Sequence, residues 1–253
     1  VIGAFAGFLA GLLGVGGGIV LVPTFFYVFQ YLGFDGPQLM QVCLATSFAT
    51  IILTSIRSTQ RHHKKGAVYW LILRQWAPGI ATGAVCGVVL AANLESVVLQ
   101  LSFGGLGAVI GLYLAFGNQA WALADDMPSG PLRWVLGTIL GGLSVLLGIG
   151  GGSLGVPFMS LHRVPIHRAV ATAAGFGLAI AIPSAVVWMF VQVDAPKLPW
   201  TFGAVNLPAF LVIIPMTFIF APIGATVAHR MDAKPLKRLF GAFLRIVAFN
   251  MER

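Results

Sequence analysis

The chain has 253 residues, 58% of them hydrophobic and 9% charged, with a mean hydropathy of +0.93. A soluble domain needs about a quarter of its residues charged to cover its surface, so water is not the main solvent of this one. The formal net charge of +8 does not point to nucleic acid either, because Lys and Arg are confined to short stretches between apolar runs and form no continuous basic face.

The apolar runs, in chain order, cover residues 1–31, 41–58, 68–92 and 97–116, then 133–161, 168–192, 201–229 and 236–249. A run of about 20 residues crosses a hydrocarbon core of roughly 30 Å as a helix. The expectation is an all-α integral membrane protein, a single transmembrane domain over residues 1–253. Residues 1–31 lack a basic n-region and a small-residue cleavage pattern and are not read as a signal peptide. Cys43 and Cys86 sit inside apolar runs without metal-ligand spacing, so packing is their expected role, and no metal or other cofactor is expected.

The chain repeats itself. Leu12-Leu13-Gly14-Val15-Gly16-Gly17-Gly18-Ile19-Val20-Leu21-Val22-Pro23 matches Leu146-Leu147-Gly148-Ile149-Gly150-Gly151-Gly152-Ser153-Leu154-Gly155-Val156-Pro157 at eight of twelve positions, 134 residues apart. Further on, Ala45-Thr46 pairs with Ala171-Thr172 and Gly66-Ala67-Val68 with Gly203-Ala204-Val205. Pro78, Ala84 and Gly87 then pair with Pro215, Ala221 and Gly224. Repeat one covers about 1–116, a linker 117–132, and repeat two about 133–253.

The first run of each repeat is about 30 residues long and is interrupted by glycines. As one helix it would reach about 45 Å, and Gly and Pro are poor helix interiors. The positive-inside rule bears on its path. If all eight runs cross, the basic residues divide almost evenly between the two sides. If each Gly-rich run is instead a re-entrant hairpin, Arg57, Arg61, Lys64, Lys65, Arg74, Arg133, Arg163, Arg168, Arg230, Lys234, Lys237 and Arg238 share one side and Lys197 takes the other, before the C-terminal tail is counted. Three crossings per repeat then invert the second repeat relative to the first, as in many secondary transporters. The alternative of a spanning broken helix stays open at this point.

Gly16, Gly17 and Gly18, with Gly150, Gly151, Gly152 and Ser153, offer successive backbone N–H groups ahead of short helices expected to start near Val22-Pro23 and Val156-Pro157, since Pro suits a first helical turn. A helix N-terminus pointing into the protein favours an anion. The plain alternative is close helix packing by small residues. Thr46, Ser47 and Thr172 are the candidate hydroxyl donors, with bonds to the carbonyl one turn back as the competing use. Arg74 is a candidate additional cation, with snorkelling to the interface as its other reading. His62, His63, His162 and His167 read as solvated loop residues. All carboxylates fall in loops or at the ends of runs.

With these residues in view, the sequence resembles the sulfite exporter TauE/SafE family of membrane permeases. The resemblance rests on the duplicated Leu-Leu-Gly-x-Gly-Gly-Gly…Val-Pro block, Ala45-Thr46-Ser47, the basic turn before Gly66-Ala67-Val68-Tyr69-Trp70, and Ala171-Thr172-Ala173, and it covers almost the whole chain. It implies transport of a small sulfur-containing anion such as sulfite or a sulfonate, with the bilayer as surroundings and no nucleic acid. The expected location is the cell membrane, multi-pass, as in a bacterial inner membrane. Ala173 replaces Ser47 and Leu211 replaces Arg74 in the second repeat, so the site is not expected to be symmetric. The rival functions are an anion channel built on the same amides and, less well supported, a membrane-embedded enzyme, for which no nucleophile elbow, metal motif or intramembrane acid–base pair is present.

Overall fold

The computed structural model describes residues 18–116, 123–193 and 198–228, together with residues 4, 5, 7, 8 and 12. Gly16, Gly17 and the run 236–249 lie outside the described residues. The helices are α1 (Gly18–Tyr31), α2 (Leu39–Lys64), α3 (Trp70–Ala92), α4 (Ser96–Phe116), α5 (Gly130–Leu146), α6 (Gly152–Leu161), α7 (Ile166–Phe190) and α8 (Leu207–Ala228). A small antiparallel ladder, β1 (Thr201–Phe202) with β2 (Val205–Asn206), precedes α8. The protein is thus mostly helical, and α2, α3, α7 and α8 are long and apolar enough to cross a membrane.

Burial separates the centre from the lipid-facing shell. α2 has neither Gly nor Pro along its length and is buried on most of its surface, and α7 is buried to a similar extent. Packed against each other, they form the centre of the bundle. Outer helices expose large apolar side chains such as Val89, Leu90, Leu101, Leu211, Val212 and Ile219. Such exposure suits a hydrocarbon solvent and would be costly in water.

Glycines set how closely α3 and α5 approach. A Cβ on Gly83 would run into the Thr138 carbonyl, and one on Gly141 into the Ile80 carbonyl. The spacing Gly79, Gly83, Gly87 against Gly137, Gly141 is the small-x-x-x-small pattern through which membrane helices gain dispersion contact where the hydrophobic effect is absent.

The bundle has one end rich in basic groups. Arg61 Nε donates to Thr226 Oγ1 (3.1 Å), and Lys65 Nζ reaches the Thr226 carbonyl (3.5 Å). The Arg168 guanidinium lies 4.4 Å from the centre of the Tyr69 ring. These contacts bring the end of α2, the starts of α3 and α7, and the end of α8 together. At the opposite end the α3–α4 turn meets the start of α2: Ser96 Oγ accepts from Met40 N (3.0 Å), and Ser96 N donates to the Pro37 carbonyl (3.0 Å). Asp35 and Glu95 belong to that end.

The Gly-rich run of the second half doubles back. A straight continuation of α5 and α6 would carry Leu161 roughly 40 Å from the start of α5. The connection from Leu123 to Gly130 spans at most about 25 Å. Yet Leu123 N donates to the Leu161 carbonyl (2.8 Å), and Arg163 pairs with Asp125 (2.8 Å). The reversal begins with Gly148 at φ +57°, a left-handed conformation that favours Gly. Ile149 N bonds to the Ser144 carbonyl and Gly148 N to the Val145 carbonyl, which makes the end of α5 a Schellman motif.

Three expectations are corrected here. α1 and α6 start at Gly18 and Gly152, so Pro23 and Pro157 each occupy the sixth helical position and not the first turn. Gly18 and Gly152 are therefore themselves helical residues. His62 and His162 are not solvated loop residues, because α2 continues to Lys64 and buries His62, and His162, which follows α6, is buried against Phe158. Cys86 is exposed on α3, and among the two cysteines only Cys43 is buried.

Candidate functional site: the tip of the second hairpin

At the turn between α5 and α6, Gly150, Gly151, Gly152 and Ser153 are all buried. The first N–H groups of a helix have no intrahelical acceptor, so Gly152, Ser153 and Leu154 present donors at the positive end of α6, whose first such bond runs from Gly155 N to the Gly151 carbonyl (2.8 Å). Ser153 Oγ is fully buried and has no hydrogen-bond partner among the described residues. Pro157 lacks an N–H, which releases the Ser153 carbonyl from the helix ladder as well.

Other elements converge on this tip. A Cβ on Gly151 would sit 2.6 Å from the Ala173 carbonyl oxygen and 2.7 Å from Gly177 N, so α7 passes directly behind it. A Cβ on Gly177 would sit 2.5 Å from Ser55 Oγ and 3.7 Å from Gly151 N. Ser55, on α2, is buried and its hydroxyl has no partner among the described residues, and the same holds for Ser47. A Cβ on Gly18 would collide with the Gly148 carbonyl and lie 3.1 Å from Ile149 Cα, so the start of α1 meets the same turn. Nothing in the sequence indicated that Gly177 would bring the Ser55 hydroxyl to the hairpin tip.

Thr46 and Thr172 have a different surrounding. Thr46 Oγ1 accepts from Asn206 N, and Thr172 Oγ1 accepts from Tyr69 N, each at 3.0 Å. Each hydroxyl thus holds the backbone just ahead of a helix in the other half of the chain, α8 or α3, and keeps its own proton to donate. The bond to the carbonyl one turn back, the competing expectation, is instead made by Thr50 to Thr46 O (3.0 Å) and by Thr54 to Thr50 O (3.3 Å). Asn206 was missed by sequence reasoning. Its Oδ1 accepts from Ala209 N (3.0 Å) as a helix cap, and the signal for it was Asn-x-Pro directly before an apolar run.

Arg74 is exposed on α3 and is not brought to the tip, whereas its neighbour Leu73 covers Gly175 of α7. Among the described residues no group of three or more His, Cys, Asp or Glu is placed to hold a metal ion. A crevice of about 560 Å³, lined almost wholly by apolar side chains and reaching Asn206, lies between α1 and α8.

The site is therefore an assembly of neutral donors, and comparison with known proteins gives its context. The chain is 36% identical over 256 residues to a protein of Haemophilus influenzae named "Probable membrane transporter protein", covering 99% of this chain and 95% of the relative. Proteins of Methanocaldococcus jannaschii and Bacillus subtilis that carry the same description are 23% and 24% identical, again over 99% of this chain and over 93% and 95% of their own lengths. No solved structure matches. The sequence profile described as sulfite exporter TauE/SafE matches residues 1–251, and the chain belongs to that family of membrane transporters.

Proposed function

We propose that the chain carries a small oxyanion, sulfite or a small organic sulfonate, across the cell membrane by alternating access between two inverted repeats, with the anion held near the midplane at the hairpin tips. The observation that carries this reading is the donor set around Ser153: buried N-terminal amides of α6, and the Ser153 and Ser55 hydroxyls without partners among the described residues. Neutral donors at a helix N-terminus suit an anion. They also bind it less tightly than a buried cation would, which suits a ligand that must be released. Gly16, Gly17 and Gly18 of the first repeat are proposed to face the same centre, with Ser47 beside them.

The inverted-repeat reading draws support from contacts that occur in matched pairs. Tyr69 and Asn206, the partners of Thr172 and Thr46, each follow a Gly-Ala-Val tripeptide of the repeat. Gly141 abuts the Ile80 backbone as Gly7 abuts that of Thr217, and Gly87 abuts Gly142 as Gly224 abuts Phe8. In the repeat register Gly7 corresponds to Gly141, Ile80 to Thr217 and Phe8 to Gly142. The direction of the two hairpin arms agrees as well. α6 returns to the basic end, whereas α1 leads to the opposite end, where α2 begins. By the positive-inside rule the basic end is cytoplasmic.

The test is reconstitution. Thermal-shift measurements against sulfite, sulfate, thiosulfate and methanesulfonate identify the ligand, because a bound anion stabilises the folded state by mass action. Counterflow in proteoliposomes then separates carrier from channel. A carrier gives saturable uptake that is accelerated by anion on the far side. Flux that neither saturates nor exchanges would make the protein an anion channel with the same amides in its pore.

A further inference from the structure

The two central helices are related residue by residue at the offset that joins Thr46 to Thr172. In that register Ser58 of α2 corresponds to Ser184 of α7, and His62 to Trp188. All four are buried, Ser184 and Trp188 completely. Neither Ser184 Oγ nor Trp188 Nε1 has a hydrogen-bond partner among the described residues, and the same is true of Ser58 Oγ. A buried indole N–H is nearly always paired, so two unused donors four residues apart on one helix require a reason.

Their place in the fold supplies one. Ser184 and Trp188 follow Gly177 by seven and eleven residues, so they lie on the face of α7 that carries Gly177. That face meets Ser55 and the tip of the second hairpin. α7 runs from the basic end at Ile166 to the opposite end at Phe190, where the Trp188 carbonyl accepts from Ala204 N (3.0 Å). The two donors therefore lie on the way from the hairpin tip to the end opposite the basic loops. Ser58 has the corresponding place toward the basic end, because α2 runs the other way.

We propose that Ser184 and Trp188 form a second oxyanion station, between the central site and the face opposite the basic loops. A serine hydroxyl and an indole N–H can both donate to one small oxyanion. The indole nitrogen has no acceptor capacity and offers nothing to a cation. This inference rests on the anion-transport reading above. It adds to it an outer binding position through which the anion passes on one side of the midplane.

Sulfite flux into proteoliposomes, measured for the full chain, tests the station with Trp188→Phe, Trp188→His and Ser184→Ala. Trp188→Phe keeps an aromatic ring, smaller than the indole, and removes the N–H. It leaves a small cavity at a fully buried position and is expected to unfold somewhat earlier than the wild type, and to reduce flux at low sulfite roughly fivefold, the worth of one neutral hydrogen bond. Ser184→Ala should act similarly. Trp188→His, which retains a ring N–H, should recover part of the loss. Wild-type flux in both Trp188→Phe and Ser184→Ala would overturn the station while leaving the transport reading intact. A flux loss that tracks a lower melting temperature, without recovery in Trp188→His, would assign Trp188 to packing and overturn it too. Absence of sulfite flux in the wild type would overturn the transport reading for this anion, and the station with it.

Discussion

Replacing Thr46 by Val tests the crossed threonine bonds most directly. The side chain keeps its size and loses its acceptor, so the Asn206 N–H that it satisfies at 3.0 Å is left without a partner. Asn206 is buried, and an unpaired buried donor costs about 1–3 kcal/mol. Thr172→Val strands the Tyr69 N–H in the same way, but Tyr69 is only partly buried, so the cost should lie near the bottom of that range. Thr46→Ser keeps the acceptor and removes one methyl group, worth about 0.8 kcal/mol. The expected order of unfolding midpoints in detergent, followed by far-UV circular dichroism, is wild type, then Thr46→Ser, with Thr172→Val below the wild type and Thr46→Val lowest. A Thr46→Val protein that unfolds with the wild type, or a Thr46→Ser protein that unfolds before it, would refute the argument.

Gly151→Ala should lower the melting temperature and the yield of monodisperse protein far more than Gly155→Ala. The first Cβ meets the backbone of α7 at 2.6 Å and 2.7 Å, whereas the second meets only side chains, the Phe176 ring at 3.0 Å and Ala173 Cβ at 3.7 Å. Single cysteines placed at Lys64, Arg163 or Thr226, in a chain with Cys43 and Cys86 replaced, should be labelled by an impermeant reagent only from the cytoplasmic side. Labelling near Arg163 from outside would refute the proposed orientation. Flux should follow an imposed K⁺ diffusion potential, since a monovalent anion leaving a cell held at 100 mV, negative inside, gains about 2.3 kcal/mol. Flux that ignores the potential and requires a Na⁺ or H⁺ gradient would refute uncoupled movement, with the carbonyls released by Pro23 and Pro157 as candidate ligands for Na⁺.

The all-α membrane class and the central spans were legible in the sequence because hydropathy is a local signal. Register-matched Thr46 and Thr172 were also legible as a pair. Their use was not, because what they bind is Asn206 and Tyr69, distant in sequence and brought near only by folding. The helix starts were misread for a stated reason: Pro is favoured at a first helical turn. Here Gly18 and Gly152 begin the helices, and the prolines fall at the sixth position, where the surrounding bundle tolerates the missing bond. His62 was misplaced because hydropathy falls after Ser58, whereas the helix continues through the charged residues to Lys64, whose basic last turn suits the negative end of its dipole.

Where the two halves of the sequence agree and where they differ follows a physical division. Positions that set backbone approach are kept in matched pairs: Gly87 with Gly224, Gly141 with Gly7, Thr46 with Thr172. Positions whose side chains line the centre have diverged, with Ser47 and Ser55 on α2 against Ala173 and Ala181 on α7. Under the proposed reading, an anion at the hairpin tip meets hydroxyls from α2 and amides from α6, while Ala173 and Ala181 of α7 offer it no side-chain donor. The outer crevices differ as well. Thr24, Val28 and Ile213 line the open space between α1 and α8, and their counterparts Phe158, His162 and Trp76 are occupied by rings in contact, Trp76 to Phe158 at 5.1 Å and Phe158 to His162 at 4.6 Å. Under the proposed mechanism the open crevice belongs to the end opposite the basic loops, and the ring stack closes the basic end. Passage of the anion to the basic end then requires Phe158 to leave Trp76, so shortening Phe158 to Ala should favour exchange of sulfite at that end over the other.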